Sequence, residues 1–221
     1  MLNASFYITV AQLRDLPQDS LAEVAFAGRS NAGKSSAINA IAGHRRLAFV
    51  SKMPGRTQHL NFFRVGEGRF LVDLPGYGYA RAPIAQKHTW QDLIGGYLHD
   101  RPQLRGLVLI MDSRHPFTPL DTQLLEWFGA IGKPVHILLS KADKLTRGEA
   151  TLTLNRVRRQ LVEMGIEGSA QLFSSPKRTG LDEAEGVLRA WLEVPARLPA
   201  AAADTQKNAR PQENGAGPTQ P

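Results

Sequence analysis

The stretch GRSNAGKSS, residues 28–36, follows the apolar run LAEVAFA (21–27) and precedes a segment with a helical pattern. From Gly28 to Ser35 it has the spacing G-x-x-x-x-G-K-S, which is typical of a phosphate-binding loop. In such a loop, backbone N–H groups and the N-terminus of the following helix face the phosphates. Lys34 is expected to reach the β- and γ-phosphates, and the Ser35 hydroxyl to bind Mg²⁺. The stretch predicts a nucleotide phosphate ligand, but it specifies neither the base nor the reaction.

Apolar runs alternate with helical stretches along the chain, which is the pattern of a doubly wound α/β sheet. Strands are predicted at 21–27, 60–65, 69–74, 106–112, 135–140 and 170–174, and helices at 34–42, 84–98, 119–131, 147–164 and 180–193. A Gly-Glu-Gly turn at 66–68 joins two of these strands as a hairpin, so one strand should run antiparallel to the others. We expect a three-layer α/β fold of the P-loop NTPase type, with a mixed, mostly parallel six-stranded sheet and helices on both faces.

The composition limits the class of protein. The 221 residues contain no cysteine, which excludes disulfides and thiolate metal sites. No run approaches the roughly 18 apolar residues of a membrane span, and the N-terminus lacks the pattern of a secretion signal, so a soluble cytoplasmic protein is expected. From residue 199 onward large apolar residues vanish, which predicts a disordered tail at 199–221 after a single domain at 1–198.

Positive charge is concentrated in the predicted domain. The formal net charge of the chain is +7, and Asp204, Lys207, Arg210 and Glu213 cancel within the tail. A domain this basic suggests an anionic partner, with nucleic acid as the leading candidate. A solubilising surface charge explains the excess equally well, so charge alone leaves the partner open.

The sequence DLPG, residues 73–76, ends an apolar run. An aspartate at such a strand end can hold Mg²⁺ through water, and the glycine that closes the motif can offer its N–H to a γ-phosphate. On its own, D-x-x-G is also an ordinary strand-to-loop turn. Its place after the phosphate loop and a hairpin strand favours the nucleotide role for Asp73 and Gly76.

The sequence SKAD, residues 140–143, follows the apolar run VHILL and bears on the identity of the base. A carboxylate of Asp143 in a base pocket would accept hydrogen bonds from N1–H and the 2-amino group of guanine. Adenine offers neither donor and would leave the carboxylate unpaired, which costs about 1–3 kcal/mol or more. Lys141 would then lie along the base and brace the phosphate loop. A surface helix start also explains a lone K-x-D, but the place of SKAD after the other two motifs favours guanine.

In this order the motifs resemble those of the GTPase superfamily, which implies a Ras-like G domain. Thr57 in PGRTQ resembles the switch I threonine, which binds Mg²⁺ only when the γ-phosphate is present. Ser174 and Ser175 in FSSPK resemble the last loop, whose backbone N–H contacts guanine O6. Ser140 departs from the pattern, because the superfamily prefers Asn or Thr there. Since serine keeps a hydroxyl, we expect modestly altered rather than lost affinity.

Within the superfamily the chain resembles the EngB (YihA/YsxC) family of ribosome-biogenesis GTPases. The segments that carry the resemblance are FAGRSNAGKSSAINAI, SKMPGRTQHLNFF, DLPGYGYA, DSRHPFTPLDTQLLEWF and LSKADKL. They cover essentially the whole predicted domain, and the tail has no part in them. Membership would imply a monomeric bacterial protein that acts in assembly of the large ribosomal subunit, with rRNA and ribosomal proteins as partners and a role in cell division and septation.

The resemblance also assigns ligands and site residues, with Mg²⁺ and GTP or GDP as the ligands. Nucleotide contacts are expected from Gly28, Arg29, Ser30, Asn31, Ala32, Gly33, Lys34, Ser35, Ser36, Gly55, Arg56, Thr57, Gln58, His59, Asp73, Leu74, Pro75, Gly76, Ser140, Lys141, Ala142, Asp143, Phe173, Ser174 and Ser175. The expected Mg²⁺ ligands are Ser35, Thr57 and Asp73. The expected catalytic residues are Lys34, Thr57, Gly76 and Asn31. Residues predicted to flank the switch segments and contact rRNA are Arg56, His59, Arg64 and Arg81.

Two residues bear on the rate of hydrolysis. Tyr77 follows DLPG, where many signalling GTPases carry a glutamine that orients the attacking water. A phenol cannot orient water in the same way, so we expect slow intrinsic hydrolysis that depends on a partner or another group. Asn31 resembles the loop asparagine that helps to hold K⁺ against the phosphates in cation-dependent GTPases, and an ordinary turn residue is an equal interpretation.

Two other functions fit parts of the sequence. A P-loop kinase for a small metabolite would share the phosphate loop, but it leaves SKAD unexplained and should accept ATP. A GTP-dependent RNA-binding protein without hydrolytic activity would share the base pocket and the charge, but it should release no phosphate when ribosomal subunits are supplied.

Overall fold

The computed structural model describes residues 1–44, 46–48, 59–77 and 84–193, with the backbone alone described within 84–91. Gly55, Arg56, Thr57, Gln58 and Arg81 lie outside these ranges, as does the predicted tail at 199–221.

The described residues form one seven-stranded sheet with helices packed on both faces. The strands are β1 (Ser5–Val10), β2 (Ala22–Gly28), β3 (Leu60–Gly66), β4 (Arg69–Asp73), β5 (Leu104–Asp112), β6 (Val135–Ser140) and β7 (Gly168–Leu172). The helices are α1 (Lys34–Ala42), α2 (Ile84–Asp100), α3 (Pro119–Gly129), α4 (Arg147–Glu163) and α5 (Leu181–Leu192). The order of the strands across the sheet is β1-β3-β4-β2-β5-β6-β7. The three-layer α/β class predicted from the sequence is confirmed.

One strand, β3, runs against the other six, because it pairs antiparallel with both β1 and β4 while the remaining pairs are parallel. The mixed, mostly parallel sheet with one antiparallel strand is therefore confirmed, but the predicted count of six strands is wrong because β1 adds a seventh. All residues of β1 except Val10 are exposed, so the strand lacks the buried alternation by which a sequence reveals it. Its place at the sheet edge is stabilised by pairing with β3 and by the contact of Phe6 with Phe63.

Each face of the sheet carries its own apolar core. On one face α2, α3 and α4 pack through residues such as Tyr97, Phe128 and Val157, which are fully buried. On the other face α1 and α5 pack through residues such as Ile38 and Leu188. Because β5 and β6 lie between these two layers, their near-continuous apolar runs are buried on both sides, as parallel central strands require.

The register of the parallel strands brings the motif residues to one edge of the sheet. Phe26, two residues before the end of β2, pairs with Asp73 at the end of β4, and Asp112 at the end of β5 pairs with Ser140 at the end of β6. Carboxyl ends of parallel strands are where open α/β sheets bind their ligands. The fold therefore places the phosphate loop, DLPG and SKAD side by side.

Candidate nucleotide-binding site

The phosphate loop turns sharply between β2 and α1. Asn31 and Gly33 have φ angles of 63° and 103°, a left-handed conformation that glycine and asparagine adopt more readily than other residues. Gly28 is required for a different reason, because a Cβ atom there would lie 2.9 Å from the carbonyl oxygen of Ile110 on β5. These positions let the chain turn tightly between β2 and α1, as an anion-binding loop requires.

Lys34 begins α1, and its Nζ forms an ion pair with the carboxylate of Asp73. Both side chains are largely buried, being 11% and 9% exposed. A lysine that close to a strand-end carboxylate can exchange that partner for a phosphate oxygen when a nucleotide binds. The contact thus joins the two residues that the sequence assigned to the triphosphate and to Mg²⁺.

The residues present fit a magnesium ion. Mg²⁺ prefers oxygen ligands and usually takes one or two from the protein, with phosphate oxygens and waters completing its shell. Asp73 provides a carboxylate at the end of β4, and Ser35 provides a hydroxyl in the first turn of α1. Thr57, the third expected ligand, is outside the described residues.

Ser140, where the superfamily prefers Asn or Thr, links the end of β6 to the phosphate loop. Its buried hydroxyl lies within hydrogen-bond distance of the carbonyl oxygen of Ala32 in the phosphate loop and 3.0 Å from that of Met111. The hydroxyl has one proton, so the two carbonyls share it as acceptors. The shorter side chain therefore keeps the link between β6 and the loop.

Lys141 braces the phosphate loop as the sequence predicted. Its Nζ donates to the carbonyl oxygen of Asn31 at 2.7 Å and to Asp112 Oδ2 at 2.9 Å. Arg114 forms a bidentate ion pair with Asp112, and its hydrogen bonds are the main reason why the pKa of Asp112 lies far below its ordinary value of 3.8. Asp112 thus stays ionised and fixes Lys141 over the loop.

Asp143 and Ser174 meet at the expected base pocket. The Ser174 hydroxyl donates to Asp143 Oδ1 at 2.6 Å, and this hydrogen bond is the first cause of a lowered pKa for Asp143. The N–H of Ala142 donates to the carbonyl oxygen of Phe173 at 3.1 Å, which ties the two loops together. Phe173 itself is fully buried among the apolar residues under α1 and α5, while Ser175 is partly exposed. The structure therefore places an ionised carboxylate beside Ser174, at the end of the sheet that carries the phosphate loop.

Gly76 lies directly against the phosphate loop. A Cβ atom at Gly76 would be 3.6 Å from both the carbonyl oxygen of Gly28 and the amide nitrogen of Ser30. The next residue, Tyr77, accepts a hydrogen bond from the Ser30 N–H through its carbonyl oxygen at 3.1 Å. Leu74 and Pro75 of the same motif are buried.

One residue near this motif has no place in the sequence assignments. Asp121 on α3 accepts a hydrogen bond from the buried hydroxyl of Tyr77 at 2.7 Å, and Arg29 Nε lies 3.8 Å from its other oxygen. The capping pattern T-x-x-D from Thr118 to Asp121 is visible in the sequence, but it indicates a helix start and not a partner for Tyr77.

The predicted place of Arg64 beside the switch segments is wrong. Because β3 runs antiparallel, Arg64 pairs with Phe70, towards the end of the sheet opposite to the phosphate loop. There its guanidinium stacks on the Tyr7 ring at 4.0 Å and donates to Asp19 at 3.0 Å. His59 immediately precedes β3 and is exposed at the phosphate-loop end of the sheet, as expected.

Comparison with known proteins identifies the family of this chain. A family model described as "50S ribosome-binding GTPase" matches residues 23–141. The chain is 60% identical over 193 residues to the probable GTP-binding protein EngB of Dechloromonas aromatica, with 86% of this chain and 88% of that protein covered. It is 57% identical to the probable GTP-binding protein EngB of Methylobacillus flagellatus, with 87% and 93% covered. The chain belongs to the EngB family of GTP-binding proteins.

The solved structures agree on the fold of this EngB-family GTPase. A crystal structure of a probable GTP-binding protein engB matches with a TM-score of 0.62 at 20% identity, covering 78% of this chain and 99% of that one. The sequence-based prediction of an EngB-type P-loop GTPase is confirmed, and neither the kinase nor the non-hydrolysing alternative is favoured.

Proposed function

We propose that this EngB-family GTPase is a GTP-dependent switch in the assembly of the large ribosomal subunit, with an associated role in cell division and septation. The carrying observation is the convergence of the phosphate loop, the Lys34–Asp73 pair and the ionised Asp143 at one edge of the sheet. The cytoplasm is the proposed location. Among the described residues no helix is long and apolar enough to cross a membrane.

Binding of GTP would change the partners of two charged residues. Lys34 would leave Asp73 for the phosphates, and Asp73 would then face the cation site that it forms with Ser35. Mg²⁺, when bound, neutralises charge on the phosphates. Asp143 would accept from the guanine edge while Ser174 holds its orientation. Asp73 lies at the end of β4 and begins the DLPG motif, so a change of partner by Lys34 would link nucleotide binding to this part of the chain.

In the proposed mechanism, a group other than the Tyr77 side chain orients the water that attacks GTP. The Tyr77 hydroxyl is already used by Asp121, and burial raises the pKa of Tyr77 far above its ordinary value, so it remains a neutral donor. It therefore cannot serve as a water-orienting group in this arrangement. The engagement of Tyr77 with Asp121 supports the proposal of slow intrinsic turnover, and we propose K⁺ at Asn31 or the ribosomal particle as the stimulating group.

Charge supports an rRNA partner. The chain carries a net +7, and a basic surface gains affinity for nucleic acid by releasing counterions from phosphates. The proposed partner is rRNA together with ribosomal proteins of the large subunit, bound by a monomer whose predicted domain at 1–198 contains the whole site. His59 is exposed beside the site and is a candidate contact.

The experiment is co-sedimentation of the protein with purified large ribosomal subunits in the presence of a non-hydrolysable GTP analogue, GDP or no nucleotide. A switch predicts tighter binding with the GTP analogue than with GDP. Equal binding in the two states would refute the switch. Phosphate release measured with GTP and with ATP, with and without subunits, separates this function from a kinase and from a non-hydrolysing RNA-binding protein.

A further inference from the structure

The carboxylate of Asp121 is buried and fully engaged. It is 1% exposed, and it accepts hydrogen bonds from the Thr118 N–H at 2.9 Å, the Thr118 hydroxyl at 2.7 Å and the Tyr77 hydroxyl at 2.7 Å. The two oxygens have separate partners, since Thr118 occupies Oδ2 and Tyr77 occupies Oδ1. Capping of α3 therefore uses Oδ2 of Asp121, while Oδ1 accepts a hydrogen bond from Tyr77, a residue 44 positions earlier in the chain.

Tyr77 is held from two sides. Its side chain reaches α3 through Asp121, and its carbonyl oxygen accepts the Ser30 N–H of the phosphate loop at 3.1 Å. Arg29, the neighbour of Ser30, places its guanidinium 3.8 Å from Asp121 Oδ2 and so adds positive charge beside a buried carboxylate. The residue after DLPG is thus fixed relative to both the phosphate loop and α3.

The position of Tyr77 determines that of Gly76. The two residues share a peptide bond, and a Cβ atom at Gly76 would lie in van der Waals contact with Gly28 and Ser30. The Gly76 N–H is the group expected to contact the γ-phosphate, which GTP has and GDP lacks. A small displacement of Tyr77 would move this donor and weaken a contact that only the triphosphate makes.

We propose that Asp121 is a positioning residue for γ-phosphate recognition: it acts through the Tyr77 hydroxyl to hold the Gly76 N–H in place. Asp121 touches neither the phosphate loop backbone nor the base pocket through the hydrogen bonds that the structure shows, so its effect is indirect. The inference rests on the proposed GTP-dependent function, and it adds a route by which α3 senses whether the third phosphate is present.

The decisive variant is Tyr77→Phe, which deletes one hydroxyl and leaves the Asp121–Thr118 cap intact. Its affinity for a non-hydrolysable GTP analogue should fall about tenfold, the scale of one hydrogen bond to a charged group, while its affinity for GDP stays within about twofold. Asp121→Asn should show the same selective loss. The double variant should lose less than the sum of the two single losses, because both changes act on the Tyr77–Asp121 contact, while Asp121→Asn also alters the contacts with Arg29 and Thr118.

Thr118→Ala is the matched control. It removes a hydrogen bond to the same carboxylate on the capping side only, so the ratio of GTP-analogue to GDP affinity should remain that of the wild type. Thermal unfolding of every variant, with GDP bound, reports any general loss of stability. The proposal is overturned if Tyr77→Phe leaves the affinity ratio unchanged, if it weakens both nucleotides equally, or if Thr118→Ala shifts the ratio as much. These titrations need no ribosome, so their failure is distinct from a failure of the ribosomal switch.

Discussion

The proposed selection of guanine depends on one side chain, the carboxylate of Asp143. The hydrogen bond from Ser174 lowers the pKa of Asp143 below its ordinary value of 3.8, so the carboxylate is charged throughout the neutral range. Replacing it with asparagine removes one acceptor and adds a donor that faces the guanine 2-amino group. We expect Asp143→Asn to weaken GTP binding by about tenfold to a hundredfold, measured by calorimetry, with little change in the weak affinity for ATP.

Two comparisons give this prediction its controls. Lys144→Gln removes an exposed charge 3.7 Å from the same carboxylate and should alter GTP affinity by less than about threefold. Ser174→Ala removes the donor that depresses the pKa of Asp143, so its GTP affinity should begin to fall at a higher pH on acidification than that of the wild type. If Asp143→Asn keeps the wild-type preference for GTP over ATP, another group selects the base.

Asn31 combines a backbone role with a proposed cation role, and the two can be separated. Its φ of 63° is accessible to glycine, while its carbonyl oxygen, which accepts from Lys141, belongs to the backbone. Asn31→Gly should therefore bind GTP nearly as the wild type does. If the side chain holds K⁺, this variant should lose the acceleration of hydrolysis by KCl over NaCl at matched ionic strength. A wild-type protein with equal turnover in both salts would remove the K⁺ proposal.

His136 makes the stability of the sheet depend on pH at the junction of β6 and β7. Gln171 uses its amide nitrogen to donate to Gly180, so its oxygen accepts from His136 Nε2 at 2.8 Å, and Nδ1 then accepts from the Ser169 hydroxyl at 2.7 Å. The neutral imidazole is thus fully paired, and burial lowers the pKa of His136 below its ordinary value of 6.5 despite the nearby Glu183.

The sign of the effect follows from this lowered pKa. As pH falls below the ordinary value of 6.5, the unfolded chain binds a proton at His136 before the folded chain does, so stability is present above that pH and is lost below it. His136→Gln should make the dependence of the unfolding free energy on pH between 7.5 and 5.5 shallower, by at most about 1.4 kcal/mol per pH unit. Denaturant unfolding measures this slope.

His115→Gln is the control for that measurement. This variant also removes one histidine, but from an exposed position, so it leaves the buried hydrogen bonds of His136 intact, and its slope should match that of the wild type. An unchanged slope in His136→Gln would mean that another group carries the acid sensitivity.

The elements that the sequence predicted well are those whose burial leaves a pattern. Strands such as β5 and β6 lie between two helical layers and read as continuous apolar runs, whereas β1 lies exposed at an edge and leaves no such pattern. The convergence of DLPG and SKAD on the phosphate loop could be inferred because parallel strands align their carboxyl ends. The contact of Tyr77 with Asp121 could not, since it depends on how α3 packs and no local motif records it.

At the level of the whole molecule, the proposed binding to the large subunit should have two separate contributions, one from net charge and one from the nucleotide-dependent switch. The polypeptide's own net charge of +7 does not depend on the nucleotide, so if the same basic residues contact rRNA in both states, salt should weaken binding by similar factors with the GTP analogue and with GDP. A switch adds a coupling factor, typically about 5–150-fold, that depends on the nucleotide. We therefore expect rising KCl to lower both affinities while their ratio is preserved, as measured by sedimentation across a salt series.

The preference of subunits for the GTP-analogue state over the GDP state should also be visible in the affinities for the nucleotides. Linkage requires that subunits raise the affinity for the GTP analogue, relative to GDP, by the factor that the analogue raises the affinity for subunits. Fluorescent-nucleotide titrations with and without subunits measure it independently, and Lys141→Gln, which loses its brace on the phosphate loop, should reduce both ratios together. A sedimentation ratio that falls to one as salt increases would mean that the preference is electrostatic and that closure of the loops around GTP adds nothing to binding.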